Sequence, residues 1–425
     1  MISSCTGPGN RSPKRTAGRG ARQRLELSAA APARRLSQGY LSSRPRTSTT
    51  RIKEFSMAEL RILIVGAGIA GLSLARALEG NGMSADVVER DGELRSAGTG
   101  LYLPANAVRA LKQLGLGDEL VGRAHPVTRQ RILDHRGRVL AEFPLSTIWG
   151  EVGGCFAISR SELHVMLRSS LVAPGIRLGT AVTDISAEGT VTFSSGEQRT
   201  YDLVVGADGV GSTVRRTVFS HEAPRFLGQV CWRFVAEQTP ESAGTTDWTA
   251  RLGSGGRTFL TVPLDDDRVY CYADINSADP EAPAGDWRSL FAGFAGPVPS
   301  LLEQAGGAHF ASLAEIAVTD WVRPRVVLIG DAAHACSPSM AQGGAMALED
   351  ALVLADLLST ATAETVSPAL AAYQERRRAR IQWVLAQNHR RDKARNLPSP
   401  LRNLTLRFGG ERLVRTNHAP LHDTP

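Results

Sequence analysis

The sequence predicts an α/β protein built on a parallel sheet, and three stretches carry that prediction. They are "RILIVGAGIAGLSLARAL" from Arg61, "YDLVVGADGVGSTVRR" from Tyr201 and "RVVLIGDAAHACSPSMAQGGAMALEDALVLADLL" from Arg325. Each opens on a short apolar run, turns through glycine and continues with helical spacing. Runs of that length suit strands covered on both faces of a parallel sheet.

In the first stretch the strand runs from Ile62 to Val65, and Gly66, Gly68 and Gly71 follow at G-x-G-x-x-G spacing. Leu72, Leu74, Ala75 and Leu78 give the next helix an apolar face, which Gly80 and Gly82 end. "ADVVER" supplies a second strand with Glu89 at its tip. Gly66 permits the tight turn, Gly68 lets a pyrophosphate approach the backbone, and Gly71 lets helix and strand pack closely. The helix start offers free N–H groups to phosphate, and Glu89 can accept from a ribose hydroxyl. Ala70 and Arg90, inside and just after this unit, complete the predicted set. The motif alone does not choose between NAD, FAD and other adenine cofactors.

The second and third stretches repeat the grammar with an aspartate just past the strand. Asp208 and Gly209 follow Leu203 to Val205, with Ser212, Val214 and Arg215 beyond; Gly330 and Asp331 follow Val326 to Ile329. A carboxylate there can reach a sugar-alcohol chain outside the carboxyl ends of the strands. The closeness of Asp331, His334 and Ser337 suggests a hydrolase triad, yet no G-x-S-x-G elbow is present. His334 is read as a packing or hydrogen-bonding residue.

Together the three motifs, in this order from about Arg61 to about Asn396, resemble the class A flavoprotein monooxygenases of the para-hydroxybenzoate hydroxylase type. "GTGLYLPANAVRALKQLGL" and "VCWRFV" are similar to the salicylate hydroxylase and zeaxanthin epoxidase branch. The resemblance implies that Gly66, Gly68, Gly71 and Glu89 hold the adenosine half of FAD. It implies that Asp208 and Gly209 serve FAD and the nicotinamide donor, and that Asp331, after Gly330, holds the ribityl chain. Arg160 in "ISRSELHVML" matches a family arginine near the flavin. "CSPSMAQGG" then becomes a bed for the isoalloxazine ring, where Pro338 fixes the chain and Gly343 and Gly344 admit close approach. The helix starting near Gly344 aims its positive end at the reduced flavin, worth about 0.3–1 kcal/mol.

The expected reaction has NAD(P)H reduce FAD and dioxygen form a flavin C4a-hydroperoxide. That species hydroxylates or epoxidises an electron-rich aromatic, polyketide or terpenoid-type molecule, as in secondary metabolism. The chemistry is the cofactor's, so no catalytic side chain and no metal are assigned. An FAD-dependent alkene reductase and a non-catalytic flavin-binding protein are the alternatives. A halogenase would carry a W-x-W-x-I-P stretch, which is missing.

"RTFLTVPL" and "RVYCYADI", divided by "DDD", read as a hairpin, and "QVCWRFVAEQ" as a neighbouring strand. On this sheet Trp232, Arg233, Tyr270 and Tyr272 are candidates for the substrate pocket, although cross-strand aromatics also simply fill sheets. The expected fold is thus a Rossmann-like FAD-binding domain (57–135, 151–222 and 318–365) with an inserted β-sheet substrate domain (223–317) and a C-terminal helical segment (366–425).

Net charge of +7 hides an asymmetry: residues 1–56 carry +10, which leaves −3 for the rest. A basic nucleic-acid groove is therefore not expected on the folded body. The first 56 residues read as a disordered basic tail or as a start assigned too early, with Met57 as the true start; a transit peptide has similar composition. No apolar run is long enough to span a bilayer. Five scattered cysteines without a C-x-x-C pair point to a reducing compartment. The expected partners are a small-molecule substrate, dioxygen and NAD(P)H in the cytoplasm, with neither nucleic acid nor membrane.

Overall fold

A computed structural model describes residues 60–93, 99–172, 175–316 and 318–425. The predicted basic tail, residues 1–56, lies outside the described residues. The first βαβ unit comprises β1 (Ile62–Val65), α1 (Ile69–Gly80) and β2 (Asp86–Val88). A hairpin, β3 (Arg129–Asp134) and β4 (Val139–Pro144), precedes α2 (Arg160–Ser169), β5 (Ile176–Arg177), β6 (Leu203–Gly206) and α3 (Thr213–Val218). Then come five strands: β7 (Arg225–Glu237), β8 (Asp247–Leu252), β9 (Thr258–Pro263), β10 (Arg268–Asn276) and β11 (His309–Glu315). The chain closes with β12 (Val322–Arg323), β13 (Val326–Leu328), α4 (Asp331–His334), α5 (Gly343–Leu358), α6 (Val366–Arg395) and α7 (Ser399–His418).

Two sheets organise the site. The first has the order β12-β13-β6-β1-β2-β5, and the five strands from β13 to β5 run parallel. Its strands β1, β6 and β13 are wholly buried, as the apolar runs require. The second is seven-stranded, in the order β11-β7-β10-β9-β8-β3-β4. The expected hairpin is β9–β10, and β7 pairs with β10 in antiparallel register from Gln229↔Asn276 to Glu237↔Arg268.

The second sheet also recruits residues outside the 223–317 segment expected to form it. Strand β3 pairs in parallel with β8, Arg129 opposite Asp247, so the hairpin 129–144 joins the roof, although 129–135 were assigned to the nucleotide-binding part. Arg129 fixes that junction by forking onto both oxygens of Asp247, at 2.8 and 3.0 Å. A bidentate fork specifies register as well as attraction.

Both faces of the second sheet are covered. Cys231, Val262, Tyr270 and Tyr272 join the main core, whereas Phe234, Phe259, Val269, Cys271 and Ala273 pack with Phe291, Phe294 and Leu301 in a separate cluster. Strand residues alternate faces, and this decides where Trp232 points. It lies opposite Ala273 and stacks on Trp287 at 4.7 Å between centroids, on the outer cluster. Its candidacy for the pocket is corrected accordingly: one residue of register places it on the far side from Arg233, Tyr270 and Tyr272.

No helix among the described residues is long and apolar enough to cross a membrane. Helix α7 packs on β4 and ends at His418, whose ring meets Trp149 edge-on at 5.1 Å while Nδ1 bonds the Val414 carbonyl at 2.7 Å. Burial first, then the nearby Arg391 charge, depresses the His418 pKa to about 3. In the unfolded chain the same imidazole titrates near about 6.5. Between those two values the unfolded state binds a proton that the folded state refuses, so stability falls as pH falls. Denaturant unfolding at pH 7 and pH 4.5 should show a loss that His418→Phe, which keeps the ring edge and removes the proton site, makes smaller. An unchanged loss would mean that His418 does not set that limb.

Candidate cofactor and substrate site

Strands β13, β6 and β1 are neighbours, so the three glycine turns predicted from sequence leave the sheet side by side. Gly66 adopts φ +107°, and a Cβ there would stand 2.5 Å from the Ala207 carbonyl oxygen of the adjacent turn. A Cβ on Gly71 would collide with the Gly66 carbonyl oxygen, whereas one on Gly68 would meet nothing within 4 Å among the described residues. Gly66 and Gly71 are thus needed by the fold itself, and Gly68 keeps space open over the start of α1.

The peptide of Ala67 is held from both sides. Its N–H donates to Glu89 Oε2 at 2.9 Å, and its carbonyl accepts from His164 Nε2 at 2.7 Å. Glu89 Oε1 accepts from the Asp91 N–H at 3.1 Å. An ionised carboxylate offers about four acceptor positions, so Glu89 retains capacity for a ribose hydroxyl while fixing the loop. A cavity of about 350 Å³ opens here, lined by Gly66, Gly68, Glu89, Arg90, Arg160, Asp208 and Gly209 among others. Ala70 and Gly71 are absent from that lining; Ala70 instead abuts Gly330, whose Cβ would lie 2.9 Å from the Ala70 Cβ.

Arg160 opens α2, behind a capping box made by Ser159 and Glu162. A cation at a helix start opposes the helix dipole. Its position at the cavity wall becomes favourable once an anion sits between it and the start of α1. His164 stands one turn further on the same helix face. Asp208 lines the same cavity, yet its oxygens already accept from Ser212 Oγ and from the Thr213 and Val214 N–H groups, at 2.5, 2.7 and 3.2 Å. Burial pushes its pKa up, and those hydrogen bonds oppose the rise. Its carboxylate therefore caps α3, and the open space lies over Gly209, where φ is +75°.

The third turn is more open. Gly330 adopts φ +57°, Asp331 is exposed, and a Cβ on Gly343 would lie 3.9 Å from Asp331 Oδ1. The carboxylate thus faces the start of α5. Pro338, also exposed, begins a 3-10 turn that ends at Ala341, the one non-glycine residue with positive φ among the described residues. Across from Gly344, a Cβ would touch Leu101 at 3.9 Å.

The roof brings Arg233, Tyr270 and Tyr272 onto the face shared with the main core, Arg233 directly opposite Tyr272. Tyr270 packs so closely that only glycine fits at position 100. Burial raises its hydroxyl pKa while the charges of Arg233 and Arg160 oppose the rise, so Tyr270 links the roof to the cofactor side. Tyr272 donates to Asp274 at 3.2 Å, and Asp274 accepts from Arg395 of α6 at 2.8 Å.

An open helix start, an acidic ribose acceptor with spare lone pairs and a cation at the wall fit a dinucleotide. The comparisons agree: residues 59–388 match a family profile described as "FAD binding domain". The chain belongs to the class A FAD-dependent monooxygenases. It is 36% identical over 344 residues to the 2-heptyl-3-hydroxy-4(1H)-quinolone synthase of Pseudomonas aeruginosa, covering 77% of this chain and 88% of that one. It is 33% identical over 352 residues to the 3-amino-4-hydroxybenzoate 2-monooxygenase PtnB3 of Streptomyces platensis, covering 79% and 87%. The solved structure of Klebsiella pneumoniae HpxO complexed with FAD and uric acid superposes with a TM-score of 0.76 at 28% identity, covering 86% and 97%.

FAD is therefore the cofactor of this monooxygenase, and the expected α/β fold with a sheet roof and C-terminal helices holds. His164 went unrecognised in the sequence; its signal is the four-residue spacing from Arg160 in "RSELH", which stacks both on one helix face. The geometry separates two kinds of glycine and yields a test. Gly68→Val should fold with normal circular dichroism yet bind FAD at least about ten-fold more weakly, a loss of about 1.4 kcal/mol. Gly66→Val should fail to fold, because its backbone conformation and the Ala207 carbonyl both exclude a side chain. Flavin absorbance after gel filtration reads both, and full flavin retention by Gly68→Val would remove Gly68 from the phosphate path.

Proposed function

We propose that this monooxygenase hydroxylates an aromatic or heteroaromatic ring that carries an oxygen substituent. The observation behind this reading is Arg233, whose buried Nε has no hydrogen-bond partner among the described residues and which shares its sheet face with Tyr270 and Tyr272. A buried donor left unpaired carries its full desolvation cost. A ring oxygen, as carbonyl or phenolate, is the group that would satisfy it, while the flanking tyrosine rings offer flat contact. The names of the relatives support the class: a hydroxyquinolone, an aminohydroxybenzoate and uric acid are all oxygen-bearing rings.

On this proposal Gly66, Gly68, Glu89, Arg90, Arg160 and Gly209 hold the adenosine and pyrophosphate. Asp331 takes the ribityl hydroxyls, and Pro338, Gly343 and Gly344 flank the ring. Bound there, FAD supplies the electron transfer by which NAD(P)H and dioxygen yield one oxygen atom in product and one in water. The chain's own part is placement. The start of α5 favours negative charge beside it by about 0.3–1 kcal/mol, and the roof over the site excludes water. We assign the cofactor domain to the first sheet and its helices, and the roof to residues 129–144 together with 223–317. The further partners are a visiting nicotinamide dinucleotide and dioxygen, in the cytoplasm.

Turnover with oxygen-18 gas should place label in the product. Oxygen uptake with no label in the product would make the enzyme an oxidase, and an alkene reduced without oxygen uptake would replace this reaction with a reductase. Arg233→Met should leave FAD content unchanged and raise KM for an oxygen-bearing ring roughly 10- to 100-fold, in line with the about 1.5–3 kcal/mol of a charged hydrogen bond. An equal rise for the analogue lacking that oxygen would show that Arg233 does not read it.

A further inference from the structure

The flavin-bed loop, residues 330–342, is anchored at both ends by one buried polar network. At its start, the Gly330 N–H donates to Asp350 Oδ2 at 2.9 Å, and His334 Nε2 bonds the same oxygen at 2.6 Å. At its end, the Gln342 amide exchanges hydrogen bonds with Asn106 at 2.9 and 3.3 Å, and Asn106 Nδ2 also donates to Glu349 Oε1 at 3.0 Å. The two branches meet in one residue of α6. Arg377 donates from Nε to Asp350 Oδ1 and from a terminal nitrogen to Glu349 Oε2, both at 2.8 Å, and reaches the Met346 carbonyl at 3.3 Å.

Arg377, Asp350 and Glu349 are at most 1% exposed. Arg380 adds a second guanidinium, at 3.2 Å from Glu349, so two carboxylates face two cations. Burial disfavours the ionised Asp350, yet the charges of His334 and Arg377 and their hydrogen bonds hold it well below the usual carboxylate range. The middle of the loop is held by the same helix: Asp392 accepts from Ser337 and Ser339 Oγ at 3.1 and 2.5 Å, and Arg391 donates to the Ser339 carbonyl at 2.7 Å. Between these anchors Ala341 sits in the left-handed region. A non-glycine residue persists there only when its surroundings over-determine it, and its neighbour Gln342 is one of the anchored residues.

We propose that Arg377 is a positioning residue for the flavin: its guanidinium orients the side chains of the adjacent Asp350 and Glu349, and through them holds the two ends of the bed loop. The planar fork is what the task requires, since it serves two carboxylates and a carbonyl at once, whereas a lysine ammonium is a point charge on a flexible stem. Arg377→Lys keeps the charge and loses the fork. In the holoenzyme it should weaken FAD at least ten-fold, alter the visible circular dichroism of the bound flavin and displace its midpoint potential. Glu349→Gln, which leaves the Asp350 branch in place, should move the same readouts in smaller measure, and it decides the question if Arg377→Lys does not fold. Arg378→Lys, on the solvent side of α6 beside Asp320, should move none of them. The proposal is overturned if the folded variants melt earlier but bind FAD with unchanged affinity, dichroism and potential, because the network would then serve stability alone.

Discussion

The site depends on a steric constraint where three adjacent strands end together with no spare room. A side chain on Gly66 would enter the Ala207 carbonyl, one on Gly206 would meet Leu328 and Val214, and one on Gly330 would meet Ala70. Each turn is therefore glycine for the sake of its neighbour as much as for a ligand. The first sheet cannot bring its loops to one level without these glycines. Only at that level can one dinucleotide touch all three turns.

This constraint explains what was legible in the sequence. A strand, a glycine turn and a helix form one local unit, and the residues that build it lie within about twenty positions, so spacing alone exposes them. Glu89 is legible for the same reason. The roof is harder. Both faces of β7 are buried, so "VCWRFV" gives no polar alternation to say which parity faces inward. Trp232 and Arg233 were equal candidates until the strip from Trp287 to Leu302 covered one side. The parallel pairing of β3 with β8 joins residues 118 positions apart, and no local pattern announces it.

The division of labour follows from that difference. Contacts to the cofactor are proposed to be mostly backbone and short side chains at the ends of β1, β6 and β13, which sequence motifs record. The groups that hold those turns still come from elsewhere: Glu89 and His164 clamp Ala67, and Asp350 takes the Gly330 N–H. Of these partners His164 and Asp350 look ordinary in sequence, because a His or an Asp on an amphipathic helix has many uses. Only distance and burial separate them from solvated charges.

Stability alone is a poor reason for a buried ion network such as that of Asp350, Glu349, Arg377 and Arg380. Desolvating such charges costs several kcal/mol per ion, and well-packed apolar residues of similar volume often serve stability as well or better. A hydrophobic replacement, however, is non-directional and cannot specify where a backbone N–H points. Here one carboxylate takes the N–H that begins the loop, and its sequence neighbour, through Asn106, holds the residue that ends it. Charge used in that way makes α6, a separate helix further along the chain, a clamp on the geometry of the loop. The low exposure of its members follows from that use, because water at any node would offer a competing partner and release the geometry.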